Sequence, residues 1–477
     1  MENFSRRKIL VASFWNFMGL ILIRAINYLA IPIFTRLLSQ SELGIVSGYI
    51  SYIALIGIFI GLALNTSIGV ARINYDGNYI FFNSSILYAS LYWFMLVVVL
   101  ANLTFNIYYP IIRIDRFWIN YMLSVAFSGY IMESFFKVNT IDYKFKLNTL
   151  LSAANSIFSL SLSIYLIHHV SNKIIGRMFG QYLFSIVAAV VIFLYLGRFK
   201  PFHIEWKALV FAVPIGLPNM IHLASLTIMG QSDRIFILQL CDPAKVAIYS
   251  VAYTISSLMQ VVWGAVNEVW TPWLYRSLKN EDYDKIRQYS KIYLILFSVI
   301  FAIVVLVCPE LTVFLSTSEY GEAKSFSPVI VLAGYFVFVY SFFVNIEIYN
   351  RQNKYIAIAT MVATIVNIIG NIILIPLFGY VAAAYTTLMA YFILMIVHYI
   401  ILNYVIRNNI YIKGTFIIPV SMLSLLTVFS VLNYDNTILR WGVAGVFILV
   451  LFTICLNKRE ELIRRIKDIR KNDSVSS

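Results

Sequence analysis

The chain has 477 residues, of which 61% are hydrophobic and only 12% are charged. A soluble domain carries about twice that charged fraction, so the composition excludes a soluble globular protein. The formal net charge of +14 is high enough for a nucleic-acid-binding protein. The positions of the basic residues along the chain, however, explain this charge in another way. The three cysteines lie on separate segments, which suits neither a disulfide framework nor a metal site: Cys241, Cys308 and Cys455.

Apolar stretches long enough to cross a bilayer recur from one end of the chain to the other. The first follows the basic residues 6–8, is too long for the core of a signal peptide and lacks a cleavage site. We therefore predict an all-α integral membrane protein of about fourteen transmembrane helices. The predicted spans are residues 10–33, 43–65, 80–104, 117–136, 147–169, 174–196, 208–240, 246–270, 289–315, 326–347, 355–376, 379–404, 411–432 and 438–456.

The basic residues are distributed unevenly over the connections between these spans. With the N-terminus inside, most of the 36 Lys and Arg fall on the cytoplasmic side, as the positive-inside rule requires. This predicts a multi-pass protein with both termini in the cytoplasm, and it accounts for the net charge without nucleic acid. The basic segment 460–470 is typical of an amphipathic helix that lies on anionic lipid.

A short motif is repeated six predicted helices apart. Residues 133–139 and 347–353 both read Glu-x-x-x-basic-x-Asn, and residues 43–47 resemble residues 246–250. Because six is even, equivalent helices run in the same direction, which predicts two parallel bundles related by an axis along the membrane normal. The predicted parts are an N-terminal six-helix bundle (1–200), a C-terminal six-helix bundle (201–406), two appended transmembrane helices (407–457) and a basic cytoplasmic tail (458–477).

Three segments carry the pattern of a known family. They are residues 32–44 (PIFTRLLSQSELG), residues 232–250 with SDRIFI and VAIYS, and residues 367–387 with two asparagines and an Ile-Pro pair. These segments resemble the polysaccharide-exporter branch of the MOP superfamily, whose O-antigen flippases are called Wzx. The chain departs from the family at Ala247 and Ala382, which stand for the usual glycines.

The resemblance implies a MATE-like, V-shaped exporter of two six-helix bundles around a central cavity, plus two C-terminal helices. It would work by alternating access in the bacterial cytoplasmic (inner) membrane. The implied cargo is a polyprenyl (undecaprenyl)-pyrophosphate-linked oligosaccharide repeat unit for O-antigen, capsule or exopolysaccharide synthesis. Further implied partners are membrane lipids, the glycan polymerase and the chain-length regulator, whereas nucleic acid is not a partner.

One arginine lies deep in the first predicted span. Arg24 is about fourteen residues into it, or roughly 20 Å, too far from either end for its side chain to reach water easily. An intramembrane guanidinium faces a wet cavity or a partner, and it can hold a pyrophosphate through a bidentate contact. A structural pair with a neighbouring helix is the alternative. The predicted substrate-binding residues are Arg24, Asn27, His222 and Arg234.

Several charged residues near helix ends are candidates for a gate. The pairs Glu133/Lys137 and Glu347/Arg351 have i,i+4 spacing, which is more often typical of a solvated surface pair. For His398 we favour a hydrogen bond to a neighbouring helix over a proton relay. Two prolines around Gly216 predict a break in the seventh helix. The predicted gating residues are Glu133, Lys137, Asp233, Glu268, Glu347 and Arg351.

Two other transport functions stay open. A peptidoglycan lipid II flippase would carry a cargo with the same pyrophosphate head. A MATE-like cation-coupled antiporter would need an acidic residue deep in the first bundle, but the first two predicted spans contain none. An enzyme is not expected, because the chain has no P-loop, catalytic triad or metal-ligand spacing and every predicted outer loop is short. No cofactor or metal is expected; coupling to H⁺ or Na⁺ stays open.

Overall fold

The regular secondary structure is helical throughout the part of the chain that the computed structural model describes, residues 26, 28–199, 201–406, 410–412 and 414–453. These described residues form sixteen α-helices, together with short 3₁₀ segments at Leu64–Ser67 and Ser318–Ser325 and a π-helical turn at Ile401–Val405. The helices are α1 (Tyr28–Leu37), α2 (Gln40–Ile60), α3 (Ile68–Asn74), α4 (Tyr79–Leu103), α5 (Phe105–Ile112), α6 (Arg116–Ile141), α7 (Phe145–His169), α8 (Lys173–Gly197), α9 (Trp206–Leu240), α10 (Pro243–Lys279), α11 (Tyr283–Leu315), α12 (Ser327–Tyr349), α13 (Asn353–Phe378), α14 (Ala382–Ile400), α15 (Ile417–Leu432) and α16 (Thr437–Thr453).

Ten of these helices are long and apolar enough to cross a membrane: α2, α4 and α7 to α14. Every predicted span from the second to the fourteenth overlaps one helix, so the prediction of an all-helical, multi-pass membrane protein is confirmed. The first predicted span lies mostly outside the described residues. The cytoplasmic location of both termini stays a prediction.

The structure corrects two features of the predicted helices. α10 continues to Lys279 and α11 begins at Tyr283, whereas the predicted spans end at 270 and begin at 289. Hydropathy marks the hydrocarbon thickness, whereas a helix with charged residues extends beyond it. The predicted break in the seventh helix is also wrong, because α9 runs for 35 residues through Pro214 and Pro218. A proline removes only one backbone hydrogen bond, which a membrane helix tolerates when it is packed.

The described residues form two compact units. Unit 1 contains the residues up to Ser250 together with Ile368–Tyr380, and unit 2 contains Val251–Asn367 and the residues from Val381 onward. The core of unit 1 is built by α2, α4, α6 and α8, where Met122 and Met178 are fully buried. The repeat-based division at residues 200, 406 and 457 stays a prediction.

The family-like segment 32–44 contains the end of α1 and the start of α2. Ser39 caps the helix: its hydroxyl accepts from the amide of Glu42 at 3.3 Å, and the Glu42 carboxylate accepts from the amide of Ser39 at 2.8 Å. A Cβ on Gly44 would lie only 1.7 Å from the carbonyl oxygen of Pro243. The Ser-x-x-Glu-x-Gly pattern therefore begins a helix and lets the start of α10 approach it.

In unit 2, the two C-terminal helices are joined to α11 by polar contacts. Pro309 in α11 has no amide hydrogen for the carbonyl of Val305, which instead accepts from Ser430 on α15 at 2.8 Å. Arg440 on α16 is 1% exposed and donates to both carboxylate oxygens of Glu310, at 2.7 and 2.6 Å. It also donates to the carbonyl of Leu306 at 2.6 Å.

We expect Arg440→Met to lower the free energy of unfolding by about 3 kcal/mol, because it leaves Glu310 without its bidentate partner. The measurement is thermal unfolding of the purified full-length protein in detergent. Arg276→Met, which removes an exposed cation of the same unit, is the control and should leave the midpoint unchanged. Equal midpoints for the two variants would contradict a stabilising role for the ion pair.

Candidate functional site: the polar cavities of unit 1

Two cavities inside unit 1 share a wall formed by Gly129, Tyr182 and Ser185. The arginine cavity has a volume of about 400 Å³ and lies among α1, α6, α7 and α8. The glutamate cavity has a volume of about 430 Å³ and reaches α2 and α9. The polar residues of the arginine cavity are Ser152, Asn155, Ser156, Ser159, Arg177, Gln181, Tyr182 and Ser185.

The polar wall of the arginine cavity is formed by two facing helices. On α8, Arg177, Gln181 and Ser185 are four residues apart, so their side chains share one face. Serines and Asn155 recur at the same spacing on α7. The stripes meet where the Ser159 hydroxyl donates to the carbonyl of Gln181 at 2.7 Å and the Ser185 hydroxyl donates to Oδ1 of Asn155 at 2.9 Å.

Glycines let these two helices approach closely. A Cβ on Gly180 would lie 2.3 Å from the Cα of Ser163, and one on Gly176 would lie 2.9 Å from the amide nitrogen of Ile167. Small residues of this kind mark close helix contacts in membranes, where packing and interhelical hydrogen bonds replace the hydrophobic effect. The glycines thus hold the polar stripe of α7 against that of α8.

Arg177 supplies the positive charge of the arginine cavity. Its guanidinium lies 3.8 Å from the ring centroid of Phe34, and Nη1 donates to the Ser163 hydroxyl at 3.0 Å. Nε of Arg177 and Oε1 of Gln181 are buried and have no hydrogen-bond partner among the described residues. A buried donor and a buried acceptor without partners are costly, and one hydroxyl-bearing molecule can satisfy both. Of the described residues that line the cavity, none is acidic.

The glutamate cavity contains a predicted gating residue. Glu133 lies in its wall, with its side chain 59% exposed, and its carboxylate is 2.9 Å from Nζ of Lys137. The predicted i,i+4 contact is therefore present, and its geometry is that of a solvated pair. Gating by these two residues stays a prediction.

Asp233 and Arg234 connect three helices of unit 1. Asp233 is 1% exposed and accepts hydrogen bonds from the hydroxyl of Tyr249 and, at 2.7 Å, from Nδ2 of Asn371. Arg234 is half-buried, and its Nε donates to the Ser250 hydroxyl at 3.1 Å. These contacts bring together residues of two family-like segments, 232–250 and 367–387. Helix packing accounts for them, while gating by Asp233 and substrate binding by Arg234 stay predictions.

Glu347 lies in a different environment from the one predicted. It is fully buried in unit 2, and both carboxylate oxygens lie 3.0 Å from Nδ1 of His398 on α14. The predicted surface pair with Arg351 is wrong, because α12 ends at Tyr349 and Arg351 follows it with a φ of +56°, outside the helical i,i+4 geometry. The interhelical hydrogen bond predicted for His398 is confirmed.

The remaining predicted residues lie apart from the two cavities or outside the described ranges. His222 is half-buried on α9 and Glu268 is exposed on α10. Arg24 and Asn27 lie outside the described residues, so their substrate roles stay predictions. Arg177 was not among the predicted site residues. Its spacing of four from Gln181, within an apolar helix, is the signal that would have found it.

Unit 2 contains an apolar groove, in contrast to the polar arginine cavity of unit 1. It has a volume of about 530 Å³ and lies among α12, α14 and α15. Its walls are mostly aliphatic and aromatic, so it accommodates a hydrocarbon chain better than a polar group. The apolar wall residues are Val329, Leu332, Phe336, Leu388, Met389, Phe392, Val428, Val431 and Leu432.

Comparison with known proteins gives both sequence and structural matches. The family model described as polysaccharide biosynthesis protein matches residues 9–278. A protein of the Lsg locus of Haemophilus influenzae is 25% identical over 163 residues, which are 34% of this chain and 40% of that protein. The match therefore spans less than half the length of this relative.

Two solved structures share the fold. The lipid II flippase MurJ in an inward closed conformation has a TM-score of 0.67 at 13% identity, covering 95% of this chain and 100% of that one. An inward-facing multidrug transporter of the MATE family has a TM-score of 0.57 at 13% identity, covering 86% and 96%. The predicted MATE-like fold is thereby confirmed.

Proposed function

This chain belongs to the polysaccharide biosynthesis protein family, and from that premise we propose that it is a flippase for polyprenyl-pyrophosphate-linked oligosaccharide repeat units. The chain is a membrane transporter rather than an enzyme. Its cargo would cross the cytoplasmic membrane by alternating access, for O-antigen, capsule or exopolysaccharide synthesis.

The arginine cavity is the observation that carries the proposal for the cargo. Sugar hydroxyls both donate and accept hydrogen bonds, and the cavity presents serine hydroxyls and amides together with a buried donor and a buried acceptor. Arg177 supplies a positive charge, and no described lining residue is acidic. A cationic drug would meet charge repulsion here, so this wall favours a neutral or anionic glycan over the cargo of a cation antiporter.

The apolar groove of unit 2 supports the lipid part of the cargo. A polyprenyl chain gains free energy by burial against aliphatic and aromatic side chains, which form most of that groove. Arg24 and Asn27 remain our proposed contacts to the pyrophosphate. The sequence leaves coupling to H⁺ or Na⁺ open.

The proposal predicts that replacing Arg177 lowers export. The native protein is depleted in cells and complemented with wild type, Arg177→Gln or Gly129→Leu, and polyprenyl-linked lipids are quantified by mass spectrometry. Gln keeps a hydrogen-bond donor but is shorter and has no charge. A Cβ on Gly129 meets no atom within 4 Å, so a leucine there extends into the shared wall of the two cavities. We expect at least tenfold accumulation of a pyrophosphate-linked oligosaccharide in both variants. Arg177→Gln loses a charge-assisted contact, and Gly129→Leu fills space that the cargo would occupy.

Two control variants separate this result from a folding defect. Arg113→Gln removes an exposed cation, and Gly442→Leu enlarges a glycine of α16 with no atom within 4 Å of its Cβ. Both should export normally at wild-type protein level. Accumulation of lipid II on depletion would instead assign the protein to peptidoglycan synthesis. Accumulation of neither lipid would contradict the flippase proposal.

A further inference from the structure

Unit 1 has a third cavity at the ends of its helices, which we call the basic notch. It has a volume of about 580 Å³ and joins a charged rim to an apolar wall. The rim contains Arg72, Asp142 and Lys144, and Asn83 and Asn139 add amides. The apolar and aromatic wall residues are Tyr79, Ile80, Phe135, Val138, Leu147, Val191, Ile192, Tyr195, Leu196 and Phe199.

The charge of the rim is positive. Asp142 lies between two cations, with Oδ1 3.7 Å from Nη2 of Arg72 and Oδ2 3.3 Å from Nζ of Lys144. A distance of 3.7 Å is too long for a hydrogen bond. The Arg72 guanidinium therefore keeps N–H donors that Asp142 does not use and that a second anion can accept from. Arg198 adds a third cation, stacked over the wall rings of Tyr195 at 4.4 Å and Phe199 at 4.7 Å. Two cations thus flank the one carboxylate of the rim, and a third cation lies over the rings of the apolar wall.

The apolar wall continues onto the outer surface of α7 and α8. Leu147 is 45% exposed, Val191 61% and Tyr195 49%, in helices of membrane-spanning length and composition. Such side chains face lipid. The notch therefore places cations at the depth of the lipid head groups and an apolar wall at the depth of the chains.

We propose that the basic notch binds one anionic phospholipid, with its phosphate between Arg72 and Lys144 and an acyl chain along Leu147 and Val191. Charge complementarity favours an anionic head, because a zwitterionic one brings its own cation to a positive rim. The apolar wall favours a lipid over free phosphate. The inference rests on the notch alone and is independent of the proposed cargo.

Native mass spectrometry of the purified full-length protein tests the lipid site. Phosphatidylglycerol and phosphatidylcholine with identical acyl chains are titrated separately, and phosphatidylglycerol is also titrated in the presence of inorganic phosphate. The wild type should bind phosphatidylglycerol more tightly. A basic residue near a membrane surface contributes about fivefold in affinity, so Arg72→Gln/Lys144→Gln should weaken binding about 25-fold.

Two further variants separate lipid recognition from structural damage. Asp142→Asn removes the competing carboxylate and should strengthen binding about fivefold, whereas a purely structural Asp142 would weaken it. Val191→Trp keeps every cation but obstructs the apolar wall, and it should weaken binding even if the double variant does not fold. Lys279→Gln, an exposed cation at the end of α10, is the control and should bind as wild type.

Three results would overturn the proposal: equal affinity for the two lipids, wild-type affinity in the folded double variant, or full displacement by inorganic phosphate at concentrations that match the lipid. The last would identify a phosphate site without lipid selectivity. Selective binding that is weakened by Val191→Trp and strengthened by Asp142→Asn would establish the lipid site.

Discussion

His398→Phe should lower the free energy of unfolding by about 3 kcal/mol, because it leaves the buried carboxylate of Glu347 without its imidazole partner. Both side chains are at most 1% exposed, and the imidazole Nδ1 lies 3.0 Å from both carboxylate oxygens. Phenylalanine retains the ring that stacks on Tyr340, so packing changes little while the hydrogen bond is lost. The measurement is the thermal or SDS unfolding midpoint of the full-length protein in micelles.

A second substitution distinguishes the buried charge from lost packing. Glu347→Gln in the His398→Phe background removes the charge and should recover most of the lost stability. His222→Phe, at a half-buried histidine of α9, is the matched control and should have a small effect. If His398→Phe has the wild-type midpoint, or if the double variant is no more stable than the single one, the pair does not stabilise unit 2 in this way.

Gly180→Leu should also destabilise the protein by about 3 kcal/mol, since any side chain at this position forces α7 and α8 apart. The Cβ would lie 2.3 Å from the Cα of Ser163, which is backbone and is unable to rotate away. Separation of the helices would also break the 3.0 Å hydrogen bond from Arg177 to Ser163. The unfolding midpoint measures the first effect, and accumulation of lipid-linked glycan in complemented cells measures the second.

Substitution at an open glycine provides the comparison for this result. Gly442→Leu adds the same side chain to another helix, at a position where no atom lies within 4 Å of the Cβ. Its midpoint should match wild type. A Gly180→Leu protein as stable as Gly442→Leu would mean that α7 and α8 tolerate separation, and the glycine spacing would then have no part in holding the cavity.

The helices were predictable because membrane spans are long, apolar and independent of distant residues. Hydropathy located every predicted span from the second to the fourteenth on a helix. The capping motif Ser39–Glu42 was not used in the prediction, and α2 begins at Gln40, three residues before the predicted span. The ends of α10 and α11 were missed because charged residues leave the hydrocarbon without ending the helix.

The candidate site was much harder to predict, because partners in a membrane protein come from other helices. Glu133 and Glu347 share one sequence motif, yet the first side chain is 59% exposed and the second is fully buried against His398. The shared motif does not distinguish the two environments. Arg177 lies inside the predicted span 174–196 but was not among the predicted site residues, and the facing stripe on α7 reveals the cavity it enters.

The proline of α11 has a consequence for the order in which the chain is made and inserted. Because Pro309 has no amide hydrogen, the Val305 carbonyl accepts from the Cys308 thiol at 3.2 Å and from Ser430, a residue 125 positions later. Glu310 meets Arg440 only after 130 further residues. During synthesis at the translocon, α11 therefore emerges with a carbonyl that lacks its amide donor and a carboxylate that lacks its arginine. Both are costly in hydrocarbon. We therefore expect α11 to be released into lipid late, after α15 and α16 have been synthesised. These last helices supply the hydrogen-bond partners of a helix that was made long before them.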